Sequence, residues 1–149
     1  MTRDELINSV GQTLGVSRWY ELPQGRLNQF ADVTEDWQFI HLDEARAQAE
    51  TPFGGTVAHG FLTLSMLSAM SYDVMPDPEG AKSGLNYGFD RLRFVAPVPA
   101  GARIRGHFAL TAAENKGPDR LLLTVGVTVE IEGSETPAIV ADWLNMFLF

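Results

Sequence analysis

Phe61-Leu62-Thr63-Leu64-Ser65-Met66-Leu67-Ser68-Ala69-Met70 carries no charge, and its only polar groups are small hydroxyls. No polar stripe recurs in it at the 3.6-residue period, so the spacing predicts a helix buried on every side. Spanning a bilayer takes roughly 20 apolar residues, so this shorter run must be buried by protein. A sheet curling around the helix would do that, and the rest of the chain is read against this expectation.

Immediately before the run stands Gly54-Gly55-Thr56-Val57-Ala58-His59-Gly60. A helix start leaves its first N–H groups unpartnered and carries roughly half a positive charge. Glycine there lets a ligand oxygen approach the backbone, which makes the Gly60 N–H a candidate oxyanion donor. Further upstream, Asp36-Trp37-Gln38-Phe39-Ile40-His41-Leu42-Asp43 places a carboxylate and an imidazole five positions apart. That spacing sets them about 140° apart on a helix and on opposite faces of a strand. A bend would have to bring them together, with Trp37, Phe39 and Ile40 pinning it by burial. An aspartate beside a neutral imidazole can hold and polarise one water, which is general acid–base chemistry. The spacing also fits an Asp36 that caps a helix and a His41 that is a satisfied, partly buried side chain, and on spacing alone that is the favoured reading.

At 149 residues the chain is expected to form one domain over 1–149, with residues 1–15 as an appended N-terminal helix. Hydrophobic residues at 45% and charged residues at 20% are ordinary for a globular protein. The absence of cysteine excludes disulfides, thiolate nucleophiles and cysteine metal sites. With three histidines, a metal centre would have to lean on carboxylates, and none is expected. A net charge of −8 argues against nucleic acid as partner. No signal-like apolar core or membrane segment is present, so a cytoplasmic location is expected.

Leu6, Val10 and Leu14 recur every fourth position and predict a helix over Thr2–Leu14, ended by Gly15. Arg18–Leu22 reads as a short strand, and Leu27, Phe30, Ala31 and Thr34 as a helix with Asp36 just past its end. Asp43 is placed to cap a helix over Glu44–Glu50. Beyond the Pro76–Gly80 loop the period changes to two. Leu85 to Phe94 alternates with a slip near Asp90, which predicts a bulge. Arg103–Ala113, Arg120–Glu132 and Ala138–Phe149 follow as strands, the last apolar on both faces so that one face could meet another subunit. Helices first and four antiparallel strands after give an α+β domain, a bent antiparallel sheet wrapped around a buried central helix.

The Asp36/His41/Asp43 stretch, the following His59-Gly60 and the apolar helix together resemble the MaoC-like dehydratases, the (R)-specific enoyl-CoA hydratases of the hotdog fold. Phe30-Ala31-Asp32-Val33-Thr34-Glu35-Asp36, Pro52-Phe53-Gly54-Gly55 and Asn86-Tyr87-Gly88 look most like its nodulation protein N branch. The resemblance implies that Asp36 and His41 bind and activate water and that Gly60 holds the thioester oxygen. It also implies a helix serine near that water, Ser68 or its competitor Ser65. A homodimer, an acyl-CoA or acyl-carrier thioester as substrate, and no cofactor beyond the substrate's own coenzyme A are expected with it. Where the family often has Asn-Pro, this chain has Gln38-Phe39. Asn86 could reach the site or pair across the sheet; His59 is expected to brace the glycine turn and His107 to be structural. Arg91, Arg93, Arg103 and Arg105 form a basic group that could take coenzyme A phosphates or be a solvated face of two neighbouring strands. Three functions stay open: hydration of a trans-2-enoyl thioester with its reverse, a non-catalytic acyl-thioester binding protein of the nodulation type, and a hotdog thioesterase. The last generally needs a carboxylate on or near the central helix, and none lies between Phe61 and Tyr72.

Overall fold

Six apolar residues at alternate positions, Leu121 through Ile131, make the strand on which the sheet is laid, and all six are buried. The computed structural model describes residues 1–149. Its elements in chain order are α1 (Arg3–Asn8), β1 (Thr13–Val16), β2 (Tyr20–Glu21), α2 (Gln24–Thr34), α3 (Phe39–Leu42), α4 (Glu44–Glu50), α5 (Gly60–Ser65), α6 (Leu67–Ser71), β3 (Ser83–Phe94), β4 (Arg103–Asn115), β5 (Arg120–Ile131) and β6 (Ile139–Leu148). The sheet is antiparallel in the order β1-β4-β5-β6-β3, with β2 also paired to β4. The architecture is thus the expected α+β single domain, with helices packed on one six-stranded sheet. No helix is long and apolar enough to cross a membrane.

Five strands are expected and six form: the short one over Arg18–Leu22 appears as β2 (Tyr20–Glu21), and β1 is the addition. The helix expected over Thr2–Leu14 stops at Asn8, and Leu14 lies in β1 instead. The physical cause is Gly11, held at φ 93°, whose N–H donates to the Leu110 carbonyl at 2.7 Å and draws the chain onto the sheet edge. The start of α1 is fixed by a reciprocal cap, Thr2 Oγ1 accepting from the Glu5 N–H and Glu5 accepting from the Thr2 N–H. The bulge in β3 falls where the slip at Asp90 placed it, between Phe89 and Arg91, and a second lies between Asn86 and Gly88.

The central helix departs further from expectation. It is two segments, α5 and α6, meeting at Met66. Leu62, Thr63, Leu67 and Met70 are buried, but Ser65 is exposed and Phe61 is 67% exposed. The outer side of this helix has no covering element within the chain, so an apolar run was buried on one side only. β6 is apolar on both faces as its composition requires: Trp143 joins the main core, and Leu144 and Met146 form a small second cluster with Leu122.

Candidate active site

The bend that joins Asp36 to His41 starts at Glu35. This residue ends α2 in the left-handed region at φ 60° and ψ 28°, a conformation that turns the chain sharply after a helix. The Gln38 N–H then donates to Asp36 Oδ1 at 3.3 Å, and α3 begins at Phe39. Trp37 does not pin the bend by burial, being 54% exposed; its indole N–H donates to Asp32 at 2.9 Å instead. The inner clasp is His59, whose Nε2–H donates to the Asp36 backbone carbonyl at 3.0 Å.

His41 is 7% exposed and donates from Nδ1 to the Val57 carbonyl at 2.7 Å. That bond fixes the tautomer with the lone pair on Nε2. The segment carrying Val57 is tied back in turn, its own N–H donating to the Ile40 carbonyl at 3.0 Å. Burial holds the His41 pKa below the usual imidazole value, against the opposing pull of the Val57 hydrogen bond. The neighbouring His59 adds to the depression and Asp36 works against it. His41 is therefore a neutral base near neutral pH.

One carboxylate oxygen of Asp36 and one ring nitrogen each of His41 and His59 lie within 4.8 Å of one another. Two hydrogen bonds of about 2.8 Å can bridge such a separation through a single water. The two imidazoles stack with centroids 3.7 Å apart and planes 22° from parallel. By residue type and spacing the trio can grip a water or hold an ion. The bend thus brings the aspartate and the imidazole into one small volume, while Asp36 also accepts from the Gln38 N–H beside α3 and His41 is a buried, hydrogen-bonded side chain.

His41 and Gly60 line the same cavity, of about 260 Å³, walled by apolar side chains including Ile40, Val98, Phe94 and Ile139. Gly60 opens α5, and its N–H makes no backbone hydrogen bond, since Leu62 and Thr63 are the residues that return to the His59 carbonyl. A Cβ at position 60 would stand 3.0 Å from Phe94 Cδ1, so the glycine is needed for the close approach of that ring.

Ser68 and Asn86 are not brought to this cavity. They line a separate groove beside β3 and β6 that shares no wall residue with it. Ser65 lines that groove too, with its hydroxyl returned to the Phe61 carbonyl at 2.7 Å. The arginines do not form one group either. β3, with Arg91 and Arg93, is separated from β4, with Arg103 and Arg105, by two intervening strands. Arg91 pairs with Asp142, Arg103 with Glu132 and Arg105 with Glu130, and His107 joins Glu130 at 2.6 Å. Arg93 alone of the four has no acidic partner, and it directly precedes Phe94 at the cavity wall.

Two site residues escaped the sequence reading. Thr56 donates its N–H to Glu44 at 3.1 Å and its hydroxyl to Gln24 at 2.6 Å, while Gln24 Nε2 donates to the His41 carbonyl at 2.7 Å. Gln24 and Glu44 thereby clamp α2, α3 and the Thr56–Val57 segment around His41. Nothing in the local pattern marks them, because their partners are distant in sequence.

The family model described as MaoC like domain matches residues 5–131. Over 140 residues the chain is 49% identical to Nodulation protein N of Rhizobium leguminosarum bv. viciae, covering 94% of this chain and 87% of that protein. Over 138 residues it is 44% identical to 3-hydroxyacyl-thioester dehydratase Z of Mycobacterium tuberculosis, covering 93% and 90%. Among solved structures, the (R)-hydratase from A. caviae involved in PHA biosynthesis superposes with a TM-score of 0.74 at 24% identity, covering 91% of this chain and 94% of that one, a likeness of fold.

Proposed function

The chain belongs to the MaoC-like domain family, and on that premise we propose that it is a hydratase/dehydratase, acting on trans-2-enoyl thioesters to give (R)-3-hydroxyacyl thioesters and back. The observation that carries this reading is the Asp36 carboxylate and His41 imidazole held within 4.8 Å of each other, with His41 and Gly60 walling one apolar cavity. The 44% identity with a protein named for 3-hydroxyacyl-thioester dehydration supports the same reaction class.

In the hydration direction one water donates one O–H to His41 Nε2 and the other to the Asp36 carboxylate. As the water oxygen bonds to C3 of the enoyl group, one of these bases takes a proton and the displaced electron pair moves to the thioester oxygen. The Gly60 N–H stabilises that oxygen, where preorganised donors are worth most. The enolate then collapses, and C2 takes a proton from the protonated base. Addition and proton transfer of this kind draw on no metal and no redox group. Coenzyme A or an acyl carrier supplies the thioester, and of the four arginines Arg93 alone has no acidic partner to give up for its phosphate. A homodimer completes the proposal: β3 has one unpaired edge and leaves Leu85 and Tyr87 exposed, a combination that invites a second copy.

The 49% identity with Nodulation protein N keeps a second reading, a protein that binds acyl thioesters without turning them over. One assay separates the two. Crotonyl-CoA and longer trans-2-enoyl-CoA substrates should lose their enoyl thioester absorbance in the presence of the protein. Binding of acyl-CoA with no loss over a range of chain lengths would install the non-catalytic reading instead.

A further inference from the structure

Thr63 is 2% exposed and stands on the wall of the cavity that His41 and Gly60 share. Of the side chains on that wall, those of His41 and Thr63 alone are polar. A hydroxyl on a helix commonly returns to the carbonyl one turn back, as Thr34 does to Phe30 and Ser65 to Phe61, each at 2.7 Å. For Thr63 that carbonyl is the one of His59, which already accepts from the Leu62 N–H at 3.0 Å and the Thr63 N–H at 3.2 Å. Two bonds occupy both lone pairs of the oxygen. The Thr63 hydroxyl has no partner in the chain, and it is not sealed in as His59 Nδ1 and Asn145 Nδ2 are. It therefore opens on the cavity. Valine would fill the same space at no polar cost, so a threonine here calls for a hydrogen-bonding group from outside the chain.

On the acyl-thioester reading above, two oxygens come to this place: the water between Asp36 and His41, and the thioester oxygen of the substrate. The water gives both of its O–H groups to the two bases and must keep a lone pair free to bond to C3, so a further donor to it would blunt the attack. The thioester oxygen is different. It receives the displaced electron pair, has lone pairs for two donors, and has one so far in the Gly60 N–H. Gly60 and Thr63 stand three positions apart on α5, and residues at that spacing share a face of a helix. We infer that Thr63 is a further catalytic residue, its hydroxyl donating to the thioester oxygen of the bound substrate. The hydroxyl keeps its own proton throughout: it lends a hydrogen bond while negative charge sits on that oxygen, and the proton that C2 takes still comes from the base that received it from water. The inference rests on the acyl-thioester reading and adds to it a donor that reading does not contain.

The test measures hydration of crotonyl-CoA by wild type, Thr63→Val and Thr63→Ser. Valine keeps the shape and removes the donor; serine keeps the donor and loses the methyl. Thr63→Val should lower kcat by about 10²-fold, the lower end of what one oxyanion donor contributes. Its thermal melt should lie at or above that of wild type, because an unpaired buried hydroxyl has gone. Thr63→Ser should keep most of the rate despite the small void it leaves. Near-normal turnover in Thr63→Val, or a larger loss in Thr63→Ser than in Thr63→Val, would overturn the assignment and make Thr63 a packing residue. If Thr63→Val does not fold, Thr63→Ala replaces it, since alanine and serine at this position differ by the hydroxyl alone. Calorimetry locates the contact, using butyryl-CoA and S-butyl-CoA, the thioether that lacks the thioester oxygen. Thr63→Val should weaken butyryl-CoA by about tenfold, the worth of roughly one hydrogen bond, and leave S-butyl-CoA unchanged. Equal weakening of both, or a loss confined to (R)-3-hydroxybutyryl-CoA, would put the hydroxyl on some other group and overturn the inference. If wild type hydrates no enoyl-CoA, the hydratase reading fails, and the comparison of butyryl-CoA with its thioether decides the role of Thr63 alone.

Discussion

Replacing Gly60 by alanine should separate the chemistry of the cavity from the stability of the fold. The added Cβ would meet Phe94 Cδ1 at 3.0 Å and Cε1 at 3.1 Å. Carbon atoms rest comfortably at about 3.5–4.0 Å, so the ring must withdraw by about half an ångström. It can, because Phe94 ends β3, is 48% exposed, and touches Phe61 only edge-on with centroids 5.9 Å apart. The backbone at position 60 is not in the left-handed region, and alanine is favoured over glycine in a helix by up to about 1 kcal/mol. The two effects oppose each other, and the net change in stability should stay within about 1 kcal/mol, a shift of roughly 2–4 °C in Tm. Turnover should respond quite differently. Alanine keeps the N–H assigned to the thioester oxygen, but its methyl would sit on the cavity wall beside it and hold that oxygen off, at a cost approaching the about 10² to 10³ in rate that loss of one such donor typically carries. Hydration of crotonyl-CoA and a thermal melt on the same preparation measure both. Wild-type kcat/KM in a well-folded Gly60→Ala protein would refute the claim that the thioester oxygen approaches closely at position 60, and a fall in Tm above about 10 °C would refute the claim that Phe94 can yield.

Asp36→Asn and His41→Ala should each lower kcat by about 10² to 10⁴ with little loss of fold, and the double variant should fall far short of the product of the two because both groups act on one water. Near-normal turnover in either single variant would make that residue structural. The acid limb of kcat/KM should have its midpoint below the ordinary imidazole value of about 6.5, since burial depresses the His41 pKa and the neutral ring is the active form. By the same shift, the stability contributed by His41 is complete above about pH 6.5 and declines as pH falls toward its lowered folded-state pKa; an acid limb at or above 6.5 would contradict both. Gly106→Ala would set a Cβ 2.5 Å from Phe108 Cε2 and 3.1 Å from Met70 Sδ, in a core where Phe108 is almost wholly enclosed. Overpacking of this kind should cost about 1–3 kcal/mol in urea unfolding, and an unchanged midpoint would show that the core is looser than drawn. Light scattering at micromolar concentration should give twice the chain mass, and a monomer mass would leave the exposed edge of β3 to some other partner.

The strands from β3 onward were legible because their period is strict: alternate residues from Leu121 to Ile131 are core, and the slip at Asp90 is a bulge. The N-terminal strand was hidden because Leu6, Val10 and Leu14 keep helical spacing, and only the long-range bond from Gly11 to Leu110 overrides it. The central run was read as uniformly buried because composition reports hydrophobicity and not coverage; Phe61 faces outward where the chain offers nothing to pack on it. At the site, the residue types of Asp36, His41 and Gly60 were visible, whereas the means of joining them were not. A left-handed Glu35, the Gln24–Thr56–Glu44 clamp and the stacking of His59 on His41 are tertiary facts with no periodic signature. The arginines misled for the same reason, since nearness in sequence between β3 and β4 says nothing of the two strands inserted between them.

That insertion also sets a timetable for biosynthesis. β6 is the last of the strands to leave the ribosome, yet it is the only neighbour of β3, so β3 must wait unpaired while β4 and β5 are made. At about 5–20 residues per second the wait is on the order of seconds, long compared with the formation of a hairpin. During it β4 and β5 can pair as a hairpin, but β3 and the helix pair before it have no complete sheet to settle on. The nascent chain is therefore at its most exposed just before β6 arrives, and a helper that shields apolar segments during translation would find its substrate in the stretch from Phe61 to Phe94.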